Sequence, residues 1–380
     1  MIKQKNEQDP SKPLVRKVKI IMLTIPVVLL VCLFILGALL LACSPGKPEL
    51  YLDENGKALP GSISEKIFVN INGLQQGMII KSKNIGNPVL LYVHGGMPDY
   101  FLTQKYPTGL DDYFTVVWWE QRGSGLSFSP GATEAITSEQ LISDTLELTN
   151  YLRNRFGKEK IYLMGHSGGT FIGIQAAAQA PELYYAYIGV AQMSNQLESE
   201  RLAYENMLQK FKENGNTKML QKLEAAPVGL ETGIPDAYYA LRDGAMHSLG
   251  IGTTHDMRSV ISGIFLPSLT FREYTIREKL NLWRGKSQSG VSSIWNEITS
   301  TDLSLEVTEF KIPVYIVAGR YDYTVNYDLQ KSYFEKVDAQ KKGFYTFENS
   351  AHSPLFEEPK SFIEIMVNDV LNGKVNLADK

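Results

Sequence analysis

Ser167 stands in Gly165-His166-Ser167-Gly168-Gly169, where the apolar run Ile161-Tyr162-Leu163-Met164 gives way to the helix-like stretch Thr170 to Ala178. A buried strand, a sharp turn carrying serine among glycines, and then a helix is the context in which a Gly-x-Ser-x-Gly elbow exposes a nucleophile. The glycines are needed because a side chain at those positions would collide with the neighbouring strand and helix. A serine hydroxyl is a weak nucleophile, so it needs a base, and the base needs an orienting group. His352 lies in the loop Glu348-Asn349-Ser350-Ala351-His352-Ser353-Pro354, directly after a strand-like run ending at Phe347. Asp322 follows the run Val314 to Ala318 in Gly319-Arg320-Tyr321-Asp322. Loops leaving the carboxyl ends of parallel strands meet at one edge of a sheet. The three side chains are therefore expected together, with Ser167 as nucleophile, His352 as general base and Asp322 as its orienting acid.

The turn His94-Gly95-Gly96-Met97-Pro98 follows the buried run ending at Val93. Its glycines leave backbone N–H groups uncovered, and such a donor can stabilise a developing oxyanion. That role falls to Gly96, with Met97 as the alternative, paired with the N–H of Gly168. His94 reads as a structural hydrogen-bonding residue and His166 as packing. His247 and His255 have no partner pattern pointing to a metal. Arg122, in Trp119-Glu120-Gln121-Arg122-Gly123-Ser124-Gly125-Leu126-Ser127, reads as a lock between loops, with anion binding as the other use of such a turn.

The elements that must position these groups follow from periodicity. Val89 to Val93 and Tyr113 to Trp119 are nearly continuous apolar runs, as expected of strands covered on both faces of a parallel sheet. From Ser138, Leu141, Thr145, Leu148, Leu152 and Phe156 form a helical stripe that Gly157 ends. Strand and helix then alternate to about residue 191. Between 195 and 302 the texture is helical and rich in Tyr and charged residues, and the alternation resumes at Ile312. The expected fold class is α/β: a mostly parallel sheet with helices on both faces and a helical lid inserted in it. The core is expected over 65–194 and 303–380, and the lid over 195–302.

His94-Gly95-Gly96, the run Glu120 to Ser127 and the Ser167 elbow resemble α/β-hydrolases of the proline iminopeptidase group, over about residues 65 to 371. Three departures stand out: Met97-Pro98 replaces the Pro-Gly usual after the two glycines, Glu120 replaces an Asp, and Gly168 replaces a Trp. The resemblance implies a serine hydrolase and, in that group, lid carboxylates that receive a substrate's free amine. Glu198, Glu200 and Glu205 lie at the corresponding place in the chain, although charges on a lid helix are as readily explained as solvated.

The first fifty residues differ in kind. Lys3, Lys5, Lys12, Arg16, Lys17 and Lys19 face only Glu7 and Asp9, and no charge then occurs from Ile20 to Ala42. That run reaches the ~20 residues needed to cross a ~30 Å hydrocarbon core. The basic residues before it put segment 1–19 in the cytoplasm, residues 20–42 in the membrane as an anchor, residues 43–64 in a linker, and the rest outside the cell membrane. Leu40-Leu41-Ala42-Cys43 resembles a bacterial lipobox, which would make 20–42 a lipoprotein signal and Cys43 an acylated residue; either reading tethers the same domain. The other cysteine, Cys32, falls inside the span, so the body needs no disulfide.

The net charge of −3, without a long basic patch, gives no electrostatic footprint for nucleic acid. Neither a metal nor an organic cofactor is implied. The partner expected is a small-molecule or short-peptide substrate: an amide with a free N-terminus first, a carboxylic or lipid ester second. A ligand-binding receptor that keeps the fold without turnover is the alternative from another class.

Overall fold

The computed structural model describes residues 12–130, 136–286 and 290–380, with 12–21, 23 and 290 described as backbone alone. Most of the expected cytoplasmic segment, residues 1–11, lies outside the described residues. The first helix, α1 (Lys12–Ala42), begins eight residues before the charge-free run. Within it, Thr24–Ala42 has a mean hydropathy of 3.1 and buries none of its residues against the protein. It is long and apolar enough to cross a membrane, a test that a signal sequence also passes.

Eight strands form one sheet: β1 (Ile63–Ile71), β2 (Leu74–Ser82), β3 (Val89–Val93), β4 (Thr115–Trp119), β5 (Ile161–His166), β6 (Tyr184–Val190), β7 (Val314–Gly319) and β8 (Lys342–Phe347). Their spatial order is β1-β2-β4-β3-β5-β6-β7-β8. The hairpin β1–β2 and the pair β2–β4 are antiparallel and every later pairing is parallel. Strands β3, β4, β5 and β7 are buried along their whole length because the sheet is covered on both faces, and this is why they read as unbroken apolar runs rather than as alternating ones. On one face Leu91, Val93, Leu163 and Ile316 pack with Leu148 and Ile172; on the other Leu90, Tyr92, Met164 and Val317 pack with Phe101 and Phe362.

Helix α2 (Ser138–Phe156) begins as its sequence demands. Thr137 accepts a hydrogen bond from the Gln140 N–H, and Gly157, at φ 60°, supplies the left-handed C-cap. Its Asp144, fully buried, accepts two hydrogen bonds from the Arg122 guanidinium at 2.8 and 3.0 Å and another from Gln76. Arg122 is thus a lock tying the turn after β4 to α2. In that turn the buried Glu120 carboxyl accepts hydrogen bonds from the Leu126 N–H and the Tyr274 hydroxyl, and burial pushes its pKa up to about 7.

Helix α3 (Gly168–Gln179) leaves β5 at Ser167. Between β6 and β7 lies the helical insertion, with α4 (Gln196–Glu213), α5 (Thr217–Glu224), α6 (Asp236–Leu249), a π-helical turn at Ile261–Phe265 that runs into α7 (Leu266–Thr270), and α8 (Ile276–Lys286). Its two ends meet: Asn195 and Asp302 form an antiparallel bridge, and the Asn195 amide donates to the Asp302 carboxylate at 3.1 Å.

The stretch after α1, expected as a linker, is held against the body. The Gly46 N–H donates to the Arg272 carbonyl, the Glu49 N–H to the Glu273 carboxylate, and the Tyr51 hydroxyl to Asp111. Pro45, Gly46, Lys47 and Pro48 read as a linker because turn-forming residues carry no periodic signal, whereas backbone and side-chain hydrogen bonds to distant partners fix this stretch.

Candidate active site

The elbow is set by steric exclusion. Ser167 takes φ 55° and ψ −129°, a conformation costly for a residue with a Cβ. A Cβ on Gly169 would sit 2.0 Å from the Val93 carbonyl oxygen, and one on Gly165 would sit 2.8 Å from the Gly169 oxygen and the Thr170 Cα. Only glycine lets α3 approach β3 and β5 this closely. The strain holds the hydroxyl out of the sheet, over the N-terminus of α3.

The Asp322 carboxylate is fully buried and accepts N–H groups from Thr324 and Val325 at 2.9 Å on Oδ1. His352 Nδ1 lies 3.1 and 3.0 Å from the two Asp322 oxygens. Because that carboxylate offers only lone pairs, Nδ1 is the donor, and Nε2 is left as an acceptor. Ser167 and His352 line one cavity of about 890 Å³ together with Gly95, Gly96, Met97 and Gly168. Among the described residues the Ser167 hydroxyl has no hydrogen bond, and neither do the N–H groups of Gly96 and Gly168. The structure thus brings to one cavity a free hydroxyl, an oriented imidazole and two unspent backbone donors. No hydrogen bond joins nucleophile to base, a looseness common before substrate is bound.

Glu198, Glu200 and Glu205 are placed elsewhere. Glu198 and Glu205 both pair with Arg201 along α4, and neither lines the cavity. Glu200, fully buried, receives the Arg242 guanidinium at 2.6 and 2.7 Å and the Tyr238 hydroxyl at 3.1 Å. Arg242 itself lines the cavity, beside Asp236, Asp243 and Asp99. Burial alone would raise the Asp243 carboxyl, but the charges of Arg242 and Lys286 hold it below its ordinary value. The insertion's cavity-lining carboxylates are therefore on α6, two helices after the α4 that the sequence suggested.

The remaining histidines act as supports. His94 Nδ1 donates to the Gly95 carbonyl and its Nε2 accepts the Gln121 N–H at 3.1 Å; burial lowers its pKa to about 4, so it stays neutral. His166 bridges Asp99, at 2.9 Å from Nδ1, and the His352 carbonyl, at 3.0 Å from Nε2. Burial opposes its charging, but the Asp99 hydrogen bond and charge outweigh that and raise its pKa. His247 Nδ1 bonds the Asp243 carbonyl one turn back in α6 while its ring lines the cavity, and His255 stacks on Tyr321.

Two contributors had no clear sequence signal. A Cβ on Gly95 would lie 2.7 Å from the Ser167 Cβ, so this glycine makes room for the nucleophile itself; the Gly-Gly pair was its only trace. Glu357 accepts the N–H groups of Ala351 at 2.9 Å and Ser353 at 3.2 Å, the two neighbours of His352, and that of His255. Burial raises its pKa to about 7 against the pull of those donors. Glu357→Gln places an NH₂ among donors and leaves N–H groups unsatisfied at about 1–3 kcal/mol. The expected result is a roughly 10-fold fall in kcat with little change in KM, read by steady-state kinetics. A change in KM alone would deny Glu357 its role in holding His352.

A strained serine elbow and an Asp–His couple at the carboxyl edge of a sheet ordered 1-2-4-3-5-6-7-8 define an α/β hydrolase. The chain belongs to the alpha/beta hydrolase fold family, whose pattern it matches over residues 88–359. It is 31% identical over 297 residues to a probable aminopeptidase, YbaC, of Bacillus subtilis (strain 168), covering 77% of this chain and 92% of that protein. It is 22% identical to a proline iminopeptidase of Saccharolobus solfataricus, covering 72% and 80%. A proline iminopeptidase-related protein from Thermus thermophilus shares the fold at a TM-score of 0.54 and 19% identity, over 80% of this chain and 97% of that one.

Proposed function

We propose that the chain is a membrane-tethered serine hydrolase that cleaves a small amide, with an aminopeptidase of proline iminopeptidase type as the leading case. The observation that carries this reading is the unbonded Ser167 hydroxyl sharing one cavity with the His352–Asp322 couple and the free N–H groups of Gly96 and Gly168. Ser167 Oγ attacks the substrate carbonyl carbon as His352 Nε2 takes its proton, and Asp322 stabilises the imidazolium. The new oxyanion accepts hydrogen bonds from Gly96 and Gly168, each such donor being worth about 3 kcal/mol. The intermediate collapses as His352 returns the proton to the leaving amine. Water, deprotonated by the same imidazole, then releases the acyl group and restores the serine.

Amide preference rests on the aminopeptidase relative and on Asp236, which lines the cavity and can receive a protonated N-terminus, whereas Glu198, Glu200, Glu205 and Asp243 are each paired with an arginine. The tether rests on the unburied apolar helix Thr24–Ala42. A panel of aminoacyl amides against short and long acyl esters tests the substrate class. A free-amine amide is expected to be turned over faster than its N-acetylated form by roughly 5-fold, the scale of an ion pair with an exposed carboxylate. Turnover of esters alone would remove the aminopeptidase reading in favour of an ester hydrolase. Folded protein that turns over nothing would favour a receptor.

A further inference from the structure

The helical insertion exposes an apolar face close to where the N-terminal helix ends. Residues 259–271 carry no charge. Within them Ile261 is 66% exposed, Leu266 49% and Phe265 39%, and Leu280 on α8 is 59% exposed. Trp283, one turn beyond Leu280, meets the Phe265 ring edge-on at 5.2 Å. Its indole N–H donates to the Ser268 hydroxyl at 2.9 Å, which joins α7 and α8 into one surface. Arg258 and Arg272, both exposed, bracket the stretch. An amphipathic patch with a half-exposed tryptophan and flanking arginines has the make-up of a surface that rests at the headgroup level of a bilayer.

What ties this patch to a bilayer is Lys279. Its ammonium donates to the Cys43 carbonyl at 2.7 Å, to the Ser44 hydroxyl at 2.9 Å and to the Leu269 carbonyl at 2.6 Å. One buried cation therefore clamps the first residue after the apolar helix to the middle of α7. A span ending at Ala42 puts Leu269 at the level of the membrane surface, with Leu266 less than one helical turn away.

We propose that the face formed by Ile261, Phe265, Leu266, Leu280 and Trp283 docks on the phospholipid bilayer that holds the N-terminal helix. This rests on the tethered reading given above. The same segment contributes Ile264 to the wall of the catalytic cavity. The element that touches lipid is thus also a wall of the site, and the cavity stands beside the leaflet from which an amphiphilic substrate would come.

The test uses the full chain in phosphatidylcholine/phosphatidylglycerol vesicles with brominated acyl chains, and an environment-sensitive dye on single cysteines. Ile261→Cys, Leu266→Cys and the control Leu305→Cys are made in a Cys32→Ser, Cys43→Ser background; native Cys32 with Cys43→Ser reports the tether. Quenching of roughly twofold or more at 261, 266 and 32, with none at 305, is expected from apolar side chains seated at the acyl boundary. Quenching at 32 without 261 and 266 overturns the docking and leaves the tether. Quenching at 261 and 266 without 32 supports the docking and removes the tether. A blue shift at 261 and 266 without bromine quenching assigns the face to a second copy of the chain and overturns the proposal.

Discussion

Ser167→Ala is expected to abolish turnover, with kcat falling by about 10⁴- to 10⁶-fold and KM almost unmoved, because in the proposed mechanism the hydroxyl is the group that forms the acyl-enzyme. What remains would be the small effect of binding and oxyanion donors acting on water. A fluorophosphonate probe should label the native chain at Ser167 and fail on this variant. The substitution removes one oxygen from a half-buried side chain that makes no hydrogen bond, so thermal stability should hold. Unchanged turnover with the variant would place the chemistry elsewhere in the cavity.

Asp322→Asn is expected to cost about 10⁴-fold in kcat, by the tautomer argument established for such triads. The aspartate takes two backbone N–H groups and the His352 Nδ1–H on its oxygens. An asparagine keeps the oxygen for the backbone donors and presents NH₂ to the imidazole. That forces the imidazole proton onto Nε2, the atom that takes the proton of Ser167 in the proposed mechanism. Raising the pH should restore little, because the defect is the place of the proton and not its number. Recovery of near-native rates above about pH 9 would overturn the tautomer account.

Much of this site could be read from residue order. Strand-then-turn patterns placed Ser167, Asp322 and His352 at loop starts, and a parallel sheet sends such loops to one edge whatever its other details. The unbroken apolar runs of β3 and β5 were equally plain, since burial on both faces removes alternation. What stayed hidden depends on side-chain pairing. Glu200 reads as a charge on a helix, yet its character is decided by Arg242, 42 positions away and on another helix. Glu357 holds both neighbours of His352, but an acid at the end of a short helix carries no mark of that use. The strap over residues 44–51 is held by hydrogen bonds to Asp111, Arg272, Glu273 and Lys279, partners too distant in the chain for local sequence to mark.

The bridge between Asn195 and Asp302 has a consequence for how this scaffold changes over time. Since both ends of the insertion return to one point, its interior can lengthen, shorten or be exchanged at a loop-closure cost that grows only with the logarithm of its length. Strands β6 and β7, which it separates in sequence, stay paired side by side. Change confined to α4–α6 would leave the strands in place, whereas Tyr274, which donates to Glu120, and Lys279, which holds Cys43, fasten the later part of the insertion to the body.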